Sequence, residues 1–513
     1  MLRKQHFFVL FLLVTFSLLQ ACKKEEGEEK SNQAPETTFS LAEFNLSGDD
    51  RLNSIVNVEW YGSDPDGYVI GFELSLDNQN WTFTTKQDST FQFSIASGSD
   101  TADIELYVRA IDNDNVRDQS PDYLKIPIKN TAPTIEFNED LSPPDTAYLV
   151  ATTEWSANDI DGSETITNVQ LSADGTNWID ISRFDEVFSL VPHTNSGGAN
   201  NVSIYYSTDL SPNPISLPGL KVNDTNKLFI RARDQAGAFS EVDTSTTFYL
   251  KEKQNNTLLI GGVPAANSQY KSLLQAANVS FDFIDYGIND GVNQPKIWSI
   301  TFSLLLEQYD KLLLYSDNTG FTNSYSNVKA LILEFAASSL QSFTNNGGKY
   351  IIASSFDHNT DIAAFRGILP IESVSSTNYG LARLYKEDGF RVLEDSLVTS
   401  PLVVDSTPDP NDPNKKIPVY LDTLTISPIN PNATFIVGVG VFNVNPIDSE
   451  VLYEAALSNG RWTNEWMDTK VIASGRRSGG KLNQVYFSVQ LIELNGENNM
   501  PGLVDFIINS EFN

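Results

Sequence analysis

The chain has 513 residues, and its 66 Asp and Glu residues against 34 Lys and Arg residues give a formal net charge of −32 at pH 7. A chain this acidic repels nucleic acid and anionic lipid, so we expect neither as a partner. Its 30 Phe, 19 Tyr and 7 Trp residues supply apolar cores, and its length suffices for about three domains. A single cysteine excludes an internal disulfide and a thiolate metal site.

An apolar run at 7–19 follows a basic start and lies shortly before the cysteine, Cys22. The run is shorter than the roughly 20 residues of a membrane-spanning helix and has the proportions of a signal-peptide core. With Leu19-Gln20-Ala21-Cys22 it resembles the signal of a bacterial lipoprotein precursor. The resemblance implies that residues 1–21 are removed and that Cys22 is lipidated, with several acyl chains giving a stable anchor. An ordinary secretory signal with an incidental cysteine is the alternative.

The segment 22–34 is predicted to be an acidic tether. Residues 23–30 (KKEEGEEK) contain no apolar side chain, so they bury nothing and stay solvated. The tract resembles the acidic export signal by which some Gram-negative bacteria send lipoproteins to the outer face of the outer membrane. We therefore expect a lipid-anchored protein of the cell outer membrane, exposed at the cell surface. A simple spacer on the periplasmic leaflet would have much the same composition.

An internal repeat organises the first half of the chain. Three segments recur in order: Trp60–Gly67 as Trp155–Gly162, Leu74–Trp81 as Leu171–Trp178, and Tyr107–Asp112 as Phe229–Asp234. Copies of about 100 residues with an early tryptophan and regular turns indicate β-sandwiches over 35–130 and 131–252. Both resemble the fibronectin type III or immunoglobulin-like modules of bacterial surface proteins. The second copy carries an insertion at 191–219, predicted to be a long loop.

Each copy contains an Asp-x-Asp-Gly turn. The carboxylates of Asp64 and Asp66 in the first copy, and of Asp159 and Asp161 in the second, are the oxygen ligands that Ca²⁺ prefers. Neighbouring loops offer a further aspartate, namely Asp112, Asp114 or Asp234. Asp-Gly is also an ordinary turn, because Asp caps its own backbone and Gly tolerates positive φ. We expect turn chemistry and keep calcium as the alternative.

From 255 to 513 the pattern changes to strands that alternate with helices. Four apolar strands are predicted at 257–262, 281–285, 309–316 and 350–355, and a fifth at 484–490. Helices are predicted at 268–277 and 328–343, and around 501–508. Alternation of this kind favours right-handed crossovers and a parallel sheet. The predicted fold is therefore multidomain, with two all-β sandwiches followed by an α/β parallel-sheet domain.

The C-terminal order resembles a class I glutamine amidotransferase-like domain with a flavodoxin-like fold. In that family the fourth strand ends in a cysteine, with a histidine three residues later, and here Ser355 and His358 stand at these positions. The flanking glycines of the family are Ala353 and Asp357 in this chain. The family's catalytic histidine lies far downstream, whereas the other two histidines here, His6 and His193, lie upstream. Because a serine needs an adjacent base, we expect no catalysis, with Ser355 and His358 as weak candidates.

Two further segments suggest ligand sites of low specificity. Gly261-Gly262 follows the first predicted strand and is compatible with a phosphate-binding turn or with a tight turn alone. Arg476-Arg477, with Trp462 and Trp466, is a basic aromatic cluster in an acidic region, where exposed turn residues are the alternative.

The function expected from the sequence is a non-catalytic binding, adhesion or scaffolding role at the cell envelope. The ligand is a glycan or a protein, no cofactor is required, and Ca²⁺ is the one ion considered. Two alternatives stay open: an extracellular serine hydrolase that uses Ser355 and His358, and a structural stalk stiffened by Ca²⁺.

Overall fold

A computed structural model describes residues 31–40, 47–192, 199–288, 291–295, 299–317, 320–322, 327–356, 362–374, 382–385, 398–399, 403–409, 412–420, 424–433, 435–455, 471–495 and 498–513. The chain divides into two compact units. The first unit extends to Thr131 and includes the short segments 160–162 and 235–237. The second unit comprises 132–159, 163–234 and 238–513.

The first unit is built on a β-sandwich of seven strands. They are β1 (Glu36–Phe39), β2 (Ile55–Ser63), β3 (Val69–Ser75), β4 (Thr82–Thr84), β5 (Asp88–Gln92), β6 (Thr101–Asp112) and β7 (Asp122–Lys129). One sheet has the order β1-β2-β5 and the other β4-β3-β6-β7. Strict alternation along β2 turns Val56, Val58 and Trp60 into the core, where Trp60 meets Phe72 edge to face. The predicted sandwich is confirmed.

The second sandwich begins the second unit and has more strands. They are β8 (Thr134–Phe137), β9 (Thr146–Tyr148), β10 (Ala151–Asn158), β11 (Ile166–Ser172), β12 (Ile179–Ile181), β13 (Val187–Pro192), β14 (Ala199–Tyr206), β15 (Ser216–Lys221), β16 (Asp224–Asn226), β17 (Phe229–Asp234), β18 (Asp243–Thr244) and β19 (Phe248–Lys251). They form sheets of order β15-β14-β13-β10-β8, β12-β11-β17-β18 and β16-β19-β9.

The insertion in this sandwich is not a long loop, so that prediction is wrong. Its two strands, β14 and β15, pair antiparallel and extend the sheet beyond β13. Val202, Ile204, Leu217 and Leu220 are fully buried on the core side. Val202 and Ile204 alternate as in a half-buried strand, whereas Leu217 and Leu220 are three residues apart. The surrounding Asn, Ser, Pro and Gly residues hid both strands from the composition.

The C-terminal region adds sixteen described strands and four described α-helices. The strands are β20 (Thr257–Gly261), β21 (Asp282–Asp285), β22 (Lys311–Ser316), β23 (Gly320–Thr322), β24 (Lys329–Leu331), β25 (Lys349–Ser354), β26 (Ser373–Val374), β27 (Ala382–Tyr385), β28 (Val398–Thr399), β29 (Val403–Asp409), β30 (Asp412–Tyr420), β31 (Phe435–Val439), β32 (Phe442–Asn443), β33 (Glu450–Ala455), β34 (Val471–Ser478) and β35 (Lys481–Phe487). The helices are α1 (Asn267–Ala276), α2 (Ser299–Leu306), α3 (Ile332–Asn345) and α4 (Met500–Asp505), the last continued by a π-helical segment, Phe506–Glu511.

The main C-terminal sheet is mixed. Strands β21-β20-β22-β25-β35 are parallel neighbours, as the sequence predicts. Beyond β35 the sheet continues through β34, β33 and β32 in antiparallel pairs, all from the long segment between β25 and β35. The region is thus not an all-parallel α/β domain, and the described residues contain four short α-helices. A flavodoxin-like domain is therefore not supported, and the chain as a whole is mostly β-sandwich.

The second predicted helix, 328–343, begins later than expected. Val328 is exposed and precedes the short strand β24, and α3 starts at Ile332. The Glu334 carboxylate accepts a hydrogen bond from the Leu331 backbone N–H at 2.6 Å. This bond satisfies a donor that a new helix leaves free, which fixes the helix start four residues after Val328.

The second sandwich and the C-terminal sheet share a hydrophobic core within the second unit. Tyr148, Val150 and Val191 of the sandwich pack in the same cluster as Leu258 and Ile260 of β20. Because this cluster excludes water from both regions, they are expected to resist separation.

Candidate functional site

A cavity of about 380 Å³ lies beside the core tryptophan of the second sandwich, and we call it the Trp155 cavity. Trp155, Ile166 and Val169 are buried and form its inner wall. Its outer part is polar and aromatic, with lining residues Ser163, Glu164, Arg183, Phe184 and Glu186. The Phe184 side chain is 79% exposed, which is unusual for a phenylalanine at the rim of an open cavity.

The indole of Trp155 carries an unpaired donor. Trp155 is 2% exposed, and its Nε1 has no hydrogen-bond partner in the part of the chain that the structure describes. A buried N–H without a partner costs about 1–3 kcal/mol, so native proteins rarely keep one.

In the first sandwich the corresponding indole N–H has a hydrogen-bond partner. Trp60 occupies the position of Trp155, because their backbone N–H groups donate to equivalent carbonyls, of Gln87 and of Glu186, each at 2.9 Å. There the indole Nε1 of Trp60 donates to the Lys86 carbonyl at 3.1 Å.

A longer loop explains the missing partner. Between strand β4 and Gln87 the first sandwich has two residues, whereas between β12 and Glu186 the second has four, Ser182–Asp185. The longer loop is held by its own contacts, since Ser182 Oγ donates to Asp185 at 2.6 Å and the Ser182 N–H to the Tyr206 hydroxyl at 3.2 Å. The two extra residues place Phe184 at the rim.

The rim of the cavity combines one cation with two carboxylates. The Arg183 guanidinium lies 4.4 Å from the centroid of the Phe184 ring, a cation–π contact, and donates to the Ile166 carbonyl. Glu164 and Glu186 are exposed. The cavity therefore combines an apolar wall with polar groups of both signs.

The acidic turn of the first sandwich is the strongest of the predicted calcium sites. Burial and the nearby carboxylates of Asp66 and Asp112 raise the pKa of Asp64. One oxygen of Asp64, Oδ2, is buried without a hydrogen-bond partner in the described part of the chain. Asn32 Nδ2 donates to Asp112 at 2.6 Å, and the Gln33 N–H donates to Asp66 at 3.1 Å.

The carboxylates of the second turn are each hydrogen-bonded. Asp161, in the first unit, accepts hydrogen bonds from the Ser54 hydroxyl and, at 2.7 Å, from the Thr131 N–H. Asp159, in the second unit, accepts one from Thr165 Oγ1 at 2.7 Å. Among the residues with a described placement, no group of three His, Cys, Asp or Glu side chains is positioned to hold a metal ion. The predicted Ca²⁺ site at Asp64, Asp66, Asp159 and Asp161 stays a prediction.

The carboxyl edge of the parallel strands, where α/β enzymes place their sites, is filled by the chain's own side chains. The Tyr270 hydroxyl donates to Gln490 at 2.8 Å, and Asn267 Nδ2 donates to Asp285 at 2.7 Å. The Gly262 N–H donates to the Tyr315 carbonyl at 2.7 Å, so this amide is not free for a phosphate. A Cβ on Gly262 would lie 2.7 Å from the same carbonyl, which is why glycine stands there.

The weak catalytic candidates are only partly described. Ser355 is half-buried and follows β25, while His358 and Asp357 lie outside the described residues. The neighbouring Ser354 shares a hydrogen bond of 2.8 Å with Ser316, and its carbonyl accepts from the Tyr486 hydroxyl. The first described helical segment after Ser355 is a 3₁₀-helix, Ile362–Phe365, where the family has an α-helix after its elbow. Catalysis by Ser355 and His358 stays untested.

The arginine pair lies on strand β34 rather than in an exposed turn. Arg477 makes ion pairs of 2.7 Å with both Glu450 and Glu511, and Arg476 makes one of 3.3 Å with Asp448. Trp462 and Trp466 lie outside the described residues. The guanidinium groups thus pair with the protein's own carboxylates.

The membrane-related predictions fall on residues that the structure does not describe. Cys22, the signal at 1–21 and most of the tether at 22–34 are among them. In the described part of the chain, no helix is long and apolar enough to cross a membrane.

No family model matches the chain, and no curated protein matches it. Among solved structures, it is similar to fibronectin(III)-like modules of Clostridium thermocellum CbhA, with 15% identity over 42% of this chain and 95% of that chain and a TM-score of 0.16. It is also similar to a two-domain fibronectin type III segment of chicken tenascin, with 12% identity over 42% of this chain and 99% of that chain and a TM-score of 0.19.

A further similar structure is that of a 1.5-MDa bacterial ice-binding adhesin, with 9% identity over 45% of this chain and 70% of that chain and a TM-score of 0.16. The two β-sandwiches are established by the strand pairing of this chain itself.

Proposed function

We propose that this protein is a non-catalytic binding protein of the cell surface, anchored in the outer membrane through lipidated Cys22, and that the Trp155 cavity holds its ligand, a glycan or a protein segment. The observation that carries the proposal is the open cavity beside Trp155, whose rim holds the exposed ring of Phe184 next to charged side chains. An apolar wall with a few polar groups is the usual form of a ligand site.

The repeat supports this role for the second sandwich. Both copies keep the same core tryptophan and the same backbone bond beside it, so the fold does not require the longer loop at 182–185. The longer loop that opens the cavity also exposes the Phe184 ring to water. This exposure is unfavourable and does not stabilise the sandwich. The exposed ring therefore lies beside charged groups at the mouth of the cavity, where a ligand would meet it.

A binding experiment tests the role. Cells that express the full chain, or its Trp155→Phe variant, are compared for retention of the partner cells, glycans or proteins of their habitat. We expect weaker retention by the variant at equal surface amounts, with Trp60→Phe, the same change at the equivalent position of the first sandwich, as the matched control. Equal retention by all three chains would remove the Trp155 cavity from the function.

The anchor is tested separately. Replacing Cys22 with Ser should remove the acyl anchor, so the protein should leave the outer-membrane fraction. Protease added to intact cells should degrade the wild-type protein if 23–30 directs it to the surface. Protection in cells with a verified intact envelope would contradict surface exposure and leave lipidation standing.

A second candidate function is a structural stalk stiffened by Ca²⁺. The observation in its favour is the unpartnered Oδ2 of Asp64 beside the carboxylates of Asp66 and Asp112. A divalent cation there would supply the missing partner and offset the burial and the repulsion that raise the pKa of Asp64. The competing hydrolase hypothesis is tested by fluorophosphonate labelling of Ser355, which must be lost in His358→Ala if these residues act together.

A further inference from the structure

We propose that the outer face of the second sandwich carries a further binding site, centred on Arg231, for the carboxylate groups of an acidic glycan. The site lies on the sheet β12-β11-β17-β18, and none of its residues lines the Trp155 cavity. Along β17, Ile230 and Ala232 are buried in the core, whereas Arg231 is half-buried and Arg233 exposed on the opposite face. The inference is therefore independent of the cavity and adds a second ligand.

Three neighbouring side chains hold the Arg231 guanidinium in place. It lies 4.3 Å from the ring centroid of Trp178 and 4.4 Å from that of Phe239. Its Nε donates to the side-chain carbonyl of Gln170, its partner across the strands, at 2.8 Å. An arginine positioned in this way loses little further conformational freedom when its amino groups bind a ligand.

The first sandwich shows which group such an arginine binds. Arg109 lies 4.0 Å from the ring centroid of Trp81 and faces Glu73 across the strands, as Arg231 faces Gln170. The Glu73 carboxylate accepts from Arg109 Nε at 2.7 Å and makes ion pairs of 2.6 Å with Arg109 and 3.0 Å with Arg117. The first copy thus neutralises this arginine with a carboxylate of its own.

The second sandwich leaves the corresponding charge without a carboxylate. In the described part of the chain, the bond from Nε to the neutral Gln170 is the one hydrogen bond of the Arg231 guanidinium, which makes no ion pair there. The neighbouring Asp180 carboxylate accepts from Gln170 Nε2 instead, at 2.8 Å. The Arg233 guanidinium lies 5.3 Å from the Phe239 ring, so two cations flank one ring. Two guanidinium groups on an exposed face are the complement of a carboxylate.

A sugar acid fits this face better than an acidic side chain of a protein does. A ligand reaches the amino groups of Arg231 beside two aromatic rings, and the Phe239 side chain is 41% exposed. A sugar ring that carries a carboxylate brings C–H groups to these rings and hydroxyl groups to the Asp180 carboxylate. An aspartate or glutamate of a peptide brings the carboxylate alone.

The acidity of the chain does not exclude an acidic ligand at this face. Exposed charges that are separated by more than about 8 Å are largely screened from each other at physiological ionic strength. The local groups therefore decide the sign of the potential that the ligand meets, and they are Arg231 and Arg233 against Asp180.

The test uses the purified full chain with Cys22→Ser, to which no acyl group is attached. Calorimetry measures its binding to polygalacturonate, in which every sugar unit carries a carboxylate. The methyl ester of the same polymer removes the charge and keeps the sugar, and poly-L-glutamate keeps the charge and removes the sugar. We expect polygalacturonate to bind, more weakly as salt is added, and the two comparison polymers to bind at least tenfold more weakly.

Two variants localise the binding. Gln170→Glu copies the first sandwich and gives Arg231 an internal carboxylate, so the affinity should fall about ten- to hundredfold, the worth of a charge-assisted hydrogen bond. Arg231→Gln removes the cation and should have the same effect, with the melting temperature of each variant measured. Gln92→Glu, the same change at an exposed position of strand β5, is the matched control and should leave the affinity unchanged.

The outcomes separate this inference from the proposed function. If polygalacturonate does not bind, or binds equally to wild type and to Gln170→Glu, the Arg231 site is overturned. If poly-L-glutamate binds as tightly as polygalacturonate, the ligand is not defined by its sugar and the glycan inference is overturned. If Trp155→Phe weakens the binding and Gln170→Glu does not, the ligand belongs to the Trp155 cavity, so the proposed function stands and this inference fails. If the binding depends on Arg231 while Trp155→Phe leaves cell retention unchanged, this inference stands and the cavity fails.

Discussion

The two sandwiches agree where the fold needs them to agree. In the first, Asp77 follows strand β3, and in the second, Asp174 follows strand β11. Each carboxylate accepts hydrogen bonds from two backbone N–H groups and from an asparagine side chain. These donors lower the pKa of both carboxyls far below its ordinary value, led in each case by the backbone N–H of the asparagine. The tryptophan that follows stacks under an arginine, as Trp81 under Arg109 and Trp178 under Arg231.

They differ in the loop beside the core tryptophan. The first sandwich satisfies the indole of Trp60 with a short loop, and the second leaves Trp155 unpaired behind a longer one. The strand register on both sides of the loop is unchanged, so the difference is local. The features that the two copies share therefore hold the sandwich together, whereas the fold does not explain the longer loop at 182–185.

The largest expected effect concerns the two core tryptophans. Trp60→Ala should lower the free energy of unfolding of the first unit by about 3–5 kcal/mol, because it empties a fully buried aromatic site. Trp155→Ala should cost the second unit about 1 kcal/mol less, since it has no indole hydrogen bond to lose. Hydrogen exchange under increasing urea, read separately in each unit, measures both values. Equal losses would mean that the Trp155 N–H is satisfied by water.

A second prediction contrasts the two units in their response to pH. Burial raises the pKa of Glu493, in the second unit, to about 7, against a hydrogen bond from the Ile429 backbone that lowers it. A raised carboxyl pKa gives stability that is complete below about pH 4.5 and is lost as the pH rises through about 7. The second unit should therefore lose about 2 kcal/mol between pH 5 and pH 8.

The isosteric variant tests the origin of that loss. Glu493→Gln removes the titrating group and should leave the stability of the second unit flat over this range. Glu454→Gln, an exposed carboxyl on strand β33, is the control and should keep the wild-type slope. A slope that survives Glu493→Gln would assign the pH dependence to another group.

A third prediction concerns Glu73 in the first unit. Here stability should fall as the pH is lowered, the opposite of the second unit. Hydrogen bonds and ion pairs from Arg117 and Arg109 lower the pKa of Glu73, outweighing burial, which raises it. A lowered carboxyl pKa gives stability above about pH 4.5 that is lost as the pH falls through the lower folded-state value. The first unit should therefore lose stability on acidification, by an amount that solvent screening reduces.

The second sandwich supplies the natural control for this prediction. There the neutral Gln170 accepts from Arg231 at 2.8 Å, in the place of Glu73. Glu73→Gln should therefore make the first unit behave like the second sandwich, with no loss from this group in acid. Circular dichroism melts of the full chain at pH 3 to 7 report it, and an unchanged acid response would show that Glu73 is not the group that titrates.

The sequence was sufficient for some of these features and not for others. The tryptophan and arginine of each copy mark the sandwich from spacing alone, because strand alternation is local. The antiparallel strands beyond β35 were missed, because they come from a long segment without clear periodicity, and they change a parallel sheet into a mixed one. The Trp155 cavity was missed because the two-residue difference at 182–185 becomes visible only when the copies are aligned by their strand pairing.

The smallest expected effect is that of calcium on the acidic turns. Adding a chelator, or Ca²⁺ in millimolar excess, should shift the melting temperature of the first unit by about 1 °C at most, because an ion stabilises only a state that binds it. The reason is the hydrogen-bonding of these turns: Asn32 and the Gln33 N–H already donate to Asp112 and Asp66. At this turn the buried Oδ2 of Asp64 lacks a partner among the described residues, and a single oxygen is a poor calcium site. A shift of many degrees that Asp66→Ala abolishes, while Asp114→Ala does not, would make the calcium-stiffened stalk the better account of the first sandwich.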